Sequence, residues 1–173
     1  MKQLITIKKC QEDQLDLLHK IAIQTYNGTY QYLWSDKGKW YLDEFYKKES
    51  FKKELSQSDI FYFLVYDADK LIGFFKLKNS SLAAYPAQNC IEIDKLYLLK
   101  GSAGKGIGKI VMDFIFSFSK KQDCSVLCLK VMENSMAKYF YEKNGFIQTD
   151  KNYLDYPTIK EEYRLILTMV KEI

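Results

Sequence analysis

One histidine and two prolines occur in 173 residues. The four cysteines, Cys10, Cys90, Cys124 and Cys128, therefore have no histidine partner, and their spacing matches no metal-ligand pattern. No metal is expected. Cys128 alternates with Leu127 and Leu129, which marks it as a small core residue of a strand rather than a nucleophile. No apolar run approaches the roughly 20 residues of a membrane span. The first ten residues, MKQLITIKKC, are too short and too charged for a signal sequence. A cytoplasmic protein with reduced thiols and no membrane partner is expected. Net charge is only +4, and basic pairs such as Lys47-Lys48 and Lys52-Lys53 are followed by Glu49 and Glu54. A nucleic-acid partner would want a concentrated basic stripe, and there is none. With no repeat, low-complexity tract or linker, residues 1–173 read as one domain.

What is abundant is apolar and aromatic. Hydrophobic residues make up 47% and aromatics 16%, with 14 tyrosines and 11 phenylalanines. That is ample for a sizeable core. The most informative stretch is IEIDKLYLLKGSAGKGIGK, residues 91–109. It is a strand running into a glycine-rich turn and then a helix. Ile107, Ile110, Val111, Phe114, Ile115 and Phe118 recur at the spacing of one helix face. The glycines thus fall at the first helical turn, where backbone N–H groups lack intrahelical partners and the dipole favours an anion.

Two phosphate-binding patterns fail on spacing. A P-loop needs four residues between its glycines and a hydroxyl after the lysine, whereas three separate Gly104 from Gly108 and Ile110 follows Lys109. A dinucleotide fingerprint needs G-x-G-x-x-G in an early βαβ unit, whereas Gly104, Gly106 and Gly108 alternate and lie past mid-chain. A second motif occupies residues 134–146, NSMAKYFYEKNGF, with Gly145 suited to a left-handed helix cap. Together, the two segments resemble the acetyl-CoA loop and the Asn-x-x-Ala-x-x-x-Tyr-x-x-x-Gly-Phe signature of the GNAT N-acetyltransferases. The loop departs from the usual Gln/Arg-x-x-Gly-x-Gly/Ala pattern at Ala103, which stands at the Gln/Arg position.

The resemblance implies an α/β GNAT fold, a mixed and mostly antiparallel sheet with helices on both faces. The order of elements read along the chain, βααβββαβαββ, agrees with it. The first helix is expected from Glu12 to about Gln24, and a second from about Lys39. The strand at 90–99 would run parallel to the one at 126–131 and splay from it. Acetyl-CoA, the implied co-substrate, would lie against Leu96, Tyr97, Leu98, Ala103, Gly104, Lys105, Gly106, Ile107, Gly108 and Lys109, with Asn134, Ala137, Tyr141 and Lys143 contributing from the second motif.

The resemblance also implies a chemistry. Tyr141 matches the tyrosine that protonates the departing coenzyme A thiolate; a phenol with pKa near about 10 keeps its proton at neutral pH. An amine must lose its own proton, and Asp94 and Glu92, two apart on one strand face, are the candidate bases. Asp94 matches a catalytic glutamate of polyamine acetyltransferases and is the preferred one. Residues 24–33 and 54–79 resemble PaiA-type spermidine/spermine acetyltransferases, which implies a polyamine acceptor. Tyr26, Tyr30, Trp34 and Asp36, with Tyr32, Asp43 and Glu44 nearby, would offer aromatic faces and carboxylates to a polycation. Near the carboxyl terminus, Asn152, Asp155 and Tyr156-Pro157 depart from those proteins. Alternative acceptors are a protein amino terminus or lysine, an antibiotic or an amino acid. A non-catalytic acetyl-CoA-binding module is the other class. A small-molecule amine is the expected partner, and a homodimer is left open.

Overall fold

The sheet changes direction at β4 (Cys90–Leu98). A computed structural model describes residues 4–86, 89–102 and 104–173. Along the chain it has β1 (Ile5–Lys9), α1 (Leu15–Tyr30), α2 (Lys39–Phe45), α3 (Lys48–Leu55), β2 (Ile60–Asp67) and β3 (Lys70–Ser80). After β4 come α4 (Ile107–Lys121), β5 (Val126–Met132), α5 (Met136–Lys143), β6 (Ile147–Tyr153) and β7 (Leu165–Glu172). The seven strands form one sheet in the order β1-β2-β3-β4-β5-β7-β6. Every neighbouring pair is antiparallel except β4 and β5. A parallel pair needs a crossover, and α4 supplies it.

Each face of the sheet carries its own apolar layer. On one, Ile107, Val111, Met112 and Ile115 of α4 pack against Phe63, Phe75, Ile91, Leu127 and Leu129. On the other, Leu18, Ile21 and Ala22 of α1 pack with Phe51, Tyr62, Leu64 and Phe74. One expected member of the α4 face does not join the core. Ile110 is 43% exposed, and Met112 is fully buried in that layer.

The helical segment before β2 also differs from expectation. Helix α1 continues to Tyr30 instead of ending near Gln24. The Thr25 hydroxyl donates to the Ile21 carbonyl at 2.7 Å, and the Tyr26 and Tyr30 rings meet at a tilt, 5.3 Å apart, so the extra turn has packing partners. The chain then breaks at Tyr46–Lys47, and Lys48–Leu55 forms a helix of its own, α3.

Two irregularities in β4 set the direction of the side chains near its carboxyl end. Lys76 pairs with Lys95 and Leu77 with Ile93, leaving Asp94 as an extra residue on β4, a β-bulge. Side chains before it alternate with Ile91 and Ile93 toward α4; after it, Leu96 and Leu98 take that face. The parallel register with β5 stops at Ile93–Leu129. Beyond that point the two strands part.

Candidate active site

A groove of about 440 Å³ lies at the end of β4, walled by Leu96, Leu98, Ser102, Ile107, Phe140 and the glycine loop. Gly104 (φ 75°) and Gly106 (φ 76°) hold left-handed backbone, and Gly106 is the residue that caps α4. A Cβ built on either meets no atom within 4 Å, so the loop faces open space. Unpaired first-turn N–H groups, the helix dipole and that space fit a diphosphate. The edge of β4 beyond Ile93, no longer paired with β5, fits an extended amide-bearing arm.

A second cavity, of about 470 Å³, shares Leu96 and Phe140 with the groove, so the two meet there. Its far walls are aromatic: Tyr26, Tyr30, Trp34, Tyr41, Tyr97 and Tyr156. Trp34 donates its indole N–H to the Tyr26 hydroxyl oxygen at 2.8 Å, which fixes both rings. The remaining wall comes from the segment between β6 and β7. Ile159 bridges Trp34, the Ser35 amide donates to the Thr158 carbonyl (2.9 Å), and the Lys160 amide donates to the Leu33 carbonyl (2.9 Å).

Charged groups form the side of this cavity nearest β3. The bulge turns Asp94 and Lys95 toward the same face. The Asp94 carboxylate accepts from Lys78 (2.9 Å) and pairs with Lys76 and Lys95 (each 3.1 Å). Lys76 also bonds Glu54 at 2.9 Å, and Glu54 accepts the Tyr62 hydroxyl. Glu92 has Lys78 at 3.2 Å. Burial alone would raise the Asp94 carboxyl, but the ammonium groups of Lys95, Lys76 and Lys78 hold it well below the usual carboxylate range. Burial would likewise lower Lys95, and Asp94 outweighs it, so that ammonium keeps its proton more firmly than an exposed lysine.

Tyr141, on α5 next to Phe140, lines the second cavity. A Schellman motif fixes its place: the Phe146 amide donates to the Tyr141 carbonyl (3.1 Å) and the Gly145 amide to the Glu142 carbonyl (2.9 Å), with Gly145 at φ 85°. Phe146 meets the Tyr141 ring edge-on at 5.8 Å. Burial pushes the Tyr141 phenol up from its ordinary value, so it remains a proton donor.

The model of the Acetyltransferase (GNAT) family matches residues 21–146, most of the chain. This chain belongs to the GNAT acetyltransferase family. Its structure is similar over 98% of its length to 99% of a PaiA N-acetyltransferase from Thermoplasma acidophilum in complex with coenzyme A, at 25% identity and a TM-score of 0.74. It also matches Arabidopsis thaliana NAA60 in complex with a bisubstrate analogue (17% identity, 98% and 99% covered, TM-score 0.74) and a probable acetyltransferase from Staphylococcus epidermidis (17%, 98% and 99%, 0.73). The last two likenesses speak to the fold alone. The GNAT fold expected from the sequence is the fold observed, and the protein is an N-acetyltransferase with acetyl-CoA as co-substrate.

Within this GNAT scaffold the sequence-derived candidates separate. Leu96, Leu98, Gly104, Gly106, Ile107, Gly108 and Lys109 line the groove. The Ile107 side chain is in the core, so only its backbone is available there. Lys105 and Lys143 are exposed and line neither cavity, and Ala103 lies outside the described residues. Tyr97 turns to the opposite face and walls the second cavity, as does Ala137. The Asn134 side chain donates to the Glu162 carbonyl at 3.0 Å, tying α5 to the segment before β7. Tyr26, Tyr30 and Trp34 reach the second cavity, together with Glu92 and Asp94.

Asp36 does not line that cavity: its carboxylate accepts the Gly38 (3.0 Å) and Trp40 (2.7 Å) amides and closes the turn into α2. Asp43 pairs with Lys39 on the surface, and Glu44 is exposed. The expected acidic lining is absent among the described residues of that segment. Lys78, Lys95 and Lys130, none of them candidates from the sequence, line the cavity beside Glu92 and Asp94, and Lys76 and Glu54 extend the ion network of Asp94.

Proposed function

We propose that this chain transfers an acetyl group directly from acetyl-CoA to a primary amine, with Tyr141 as the acid for the departing thiolate and Glu92 as the proton acceptor for the amine. The observation that carries this reading is the meeting of groove and cavity at Leu96 and Phe140, with Tyr141, the residue after Phe140, buried and lining the cavity. Acetyl-CoA supplies an activated thioester, so no covalent enzyme intermediate is needed. The glycine loop and the start of α4 hold the diphosphate, and the free edge of β4 holds the arm. The aromatic walls exclude water from the reacting amine.

Of the two carboxylates, Glu92 suits the base better. Asp94 is held by three ammonium groups and has little tendency to take a proton. Glu92 lines the cavity with one lysine partner. Asp94 then serves as the hub that holds the bulge of β4 in place.

Spermidine and spermine are the narrower reading. The sequence resemblance to PaiA-type enzymes supports it, and the whole-chain similarity to a PaiA structure keeps these amines in view. The loss of Asp36, Asp43 and Glu44 from the cavity weighs against it. The test is release of free thiol from acetyl-CoA across a panel of monoamines, polyamines, amino acids and peptides, beside thermal stabilisation by coenzyme A. Stabilisation without turnover of any amine would favour the non-catalytic module.

A further inference from the structure

Lys95 lines the second cavity beside Asp94, the carboxylate where a cation-binding site would be expected. Its ammonium lies 3.1 Å from Asp94 and 5.8 Å from the centre of the Tyr46 ring, and the side chain is 15% exposed. A carboxylate and an aromatic face are the two features that bind a ligand ammonium. Here the carboxylate, Asp94, is taken by a group on the protein, and the Tyr46 ring that Lys95 faces is buried and does not line the cavity. Asp94 is further engaged by Lys76 and Lys78, and Glu92 by Lys78. The ionised residues lining the cavity are Lys78, Lys95 and Lys130 against Glu92 and Asp94, so the cavity has no surplus of negative charge.

We propose that Lys95 sets acceptor specificity, by pairing with the cavity carboxylate, Asp94, that the second ammonium of a polyamine would need. The acceptor is then an amine bearing one positive charge, with an uncharged apolar or aromatic remainder. That remainder suits the other lining groups, among them Leu33, Trp34, Met132, Leu154 and Ile159. A second ammonium would enter beside Lys95 and Lys130 with no unpaired carboxylate to meet it, and repulsion in a partly desolvated site is costly. The inference rests on the amine-acetylation reading above and narrows it.

The test compares kcat/KM for hexylamine, 2-phenylethylamine and spermidine in the wild type, Lys95→Met and Lys95→Arg. The wild type should favour the monoamines over spermidine by about tenfold or more. Lys95→Met keeps the stem and removes the charge, and should raise the spermidine-to-hexylamine ratio by about tenfold, with stabilisation by coenzyme A retained. Lys95→Arg should keep the wild-type ratio. A wild type that prefers spermidine overturns the proposal, and so does a folded Lys95→Met with an unchanged ratio. If Lys95→Met does not fold, the wild-type preference alone decides. Failure of the underlying reading looks different: no amine releases thiol although coenzyme A still stabilises the protein.

Discussion

A Cβ placed on Gly108 would stand 3.0 Å from Cε2 of Phe140. The first turn of α4 and the middle of α5 touch there, and the glycine is what allows the contact. The two sequence motifs are thus joined physically as well as by order. The groove and the second cavity both use Phe140 as a wall, so a change at Gly108 is felt in each.

Gly106 and Gly108 should therefore fail for different reasons. At Gly106 the space is open but the backbone is left-handed, so Gly106→Ala should cost about 1–2 kcal/mol of stability. At Gly108 the added methyl should push Phe140 aside and weaken stabilisation by coenzyme A. Adding Phe140→Leu should restore part of the loss in Gly108→Ala and none in Gly106→Ala. Equal effects of Phe140→Leu in both backgrounds would mean that the two residues are not coupled.

The bulge in β4 left a mark in the sequence that the regular strand expected at 90–99 did not include, and the partners of Asp94 left none. In the run from Ile91 to Leu98, apolar residues fall at 91 and 93 and then at 96 and 98. That change of phase is the mark of an extra residue, and it predicts that neighbouring side chains share a face. Which lysines meet Asp94 depends on the register of β3, which local pattern does not fix. The glycine turn into α4 and the Gly145 cap that ends α5 were readable because each is encoded within a few residues. Asp36 misled for the same reason in reverse: a carboxylate in a turn reads as a free acid until its backbone amide partners are seen.

Removing the Asp94 charge tests the network. Its carboxyl is depressed in the folded protein, so its contribution is fully present above the unfolded value near about 3.9 and fades as pH falls below that. Asp94→Asn leaves the Lys76, Lys78 and Lys95 ammonium groups without their common partner, and at pH 7 should cost about 3–5 kcal/mol in urea unfolding. The difference from wild type should narrow as the pH is lowered below about 4. A gap that stays constant down to acid pH would locate the damage in packing instead of charge.

The division of labour between Tyr141 and Glu92 should appear in the pH–rate profile. Tyr141→Phe keeps the ring against Phe146 and removes only the hydroxyl with its proton, so turnover should fall at least tenfold, about 1.4 kcal/mol, with stabilisation by coenzyme A nearly unchanged. Because burial raises the phenol, the wild type should show no loss of rate from Tyr141 ionisation near its ordinary value of about 10. Glu92→Gln should remove the acidic limb of kcat/KM, since the free enzyme's base reports there. If Asp94→Asn abolishes that limb and Glu92→Gln leaves it in place, the three lysines do not disable Asp94. The base then moves two residues along β4, and Glu92 keeps only its pairing with Lys78.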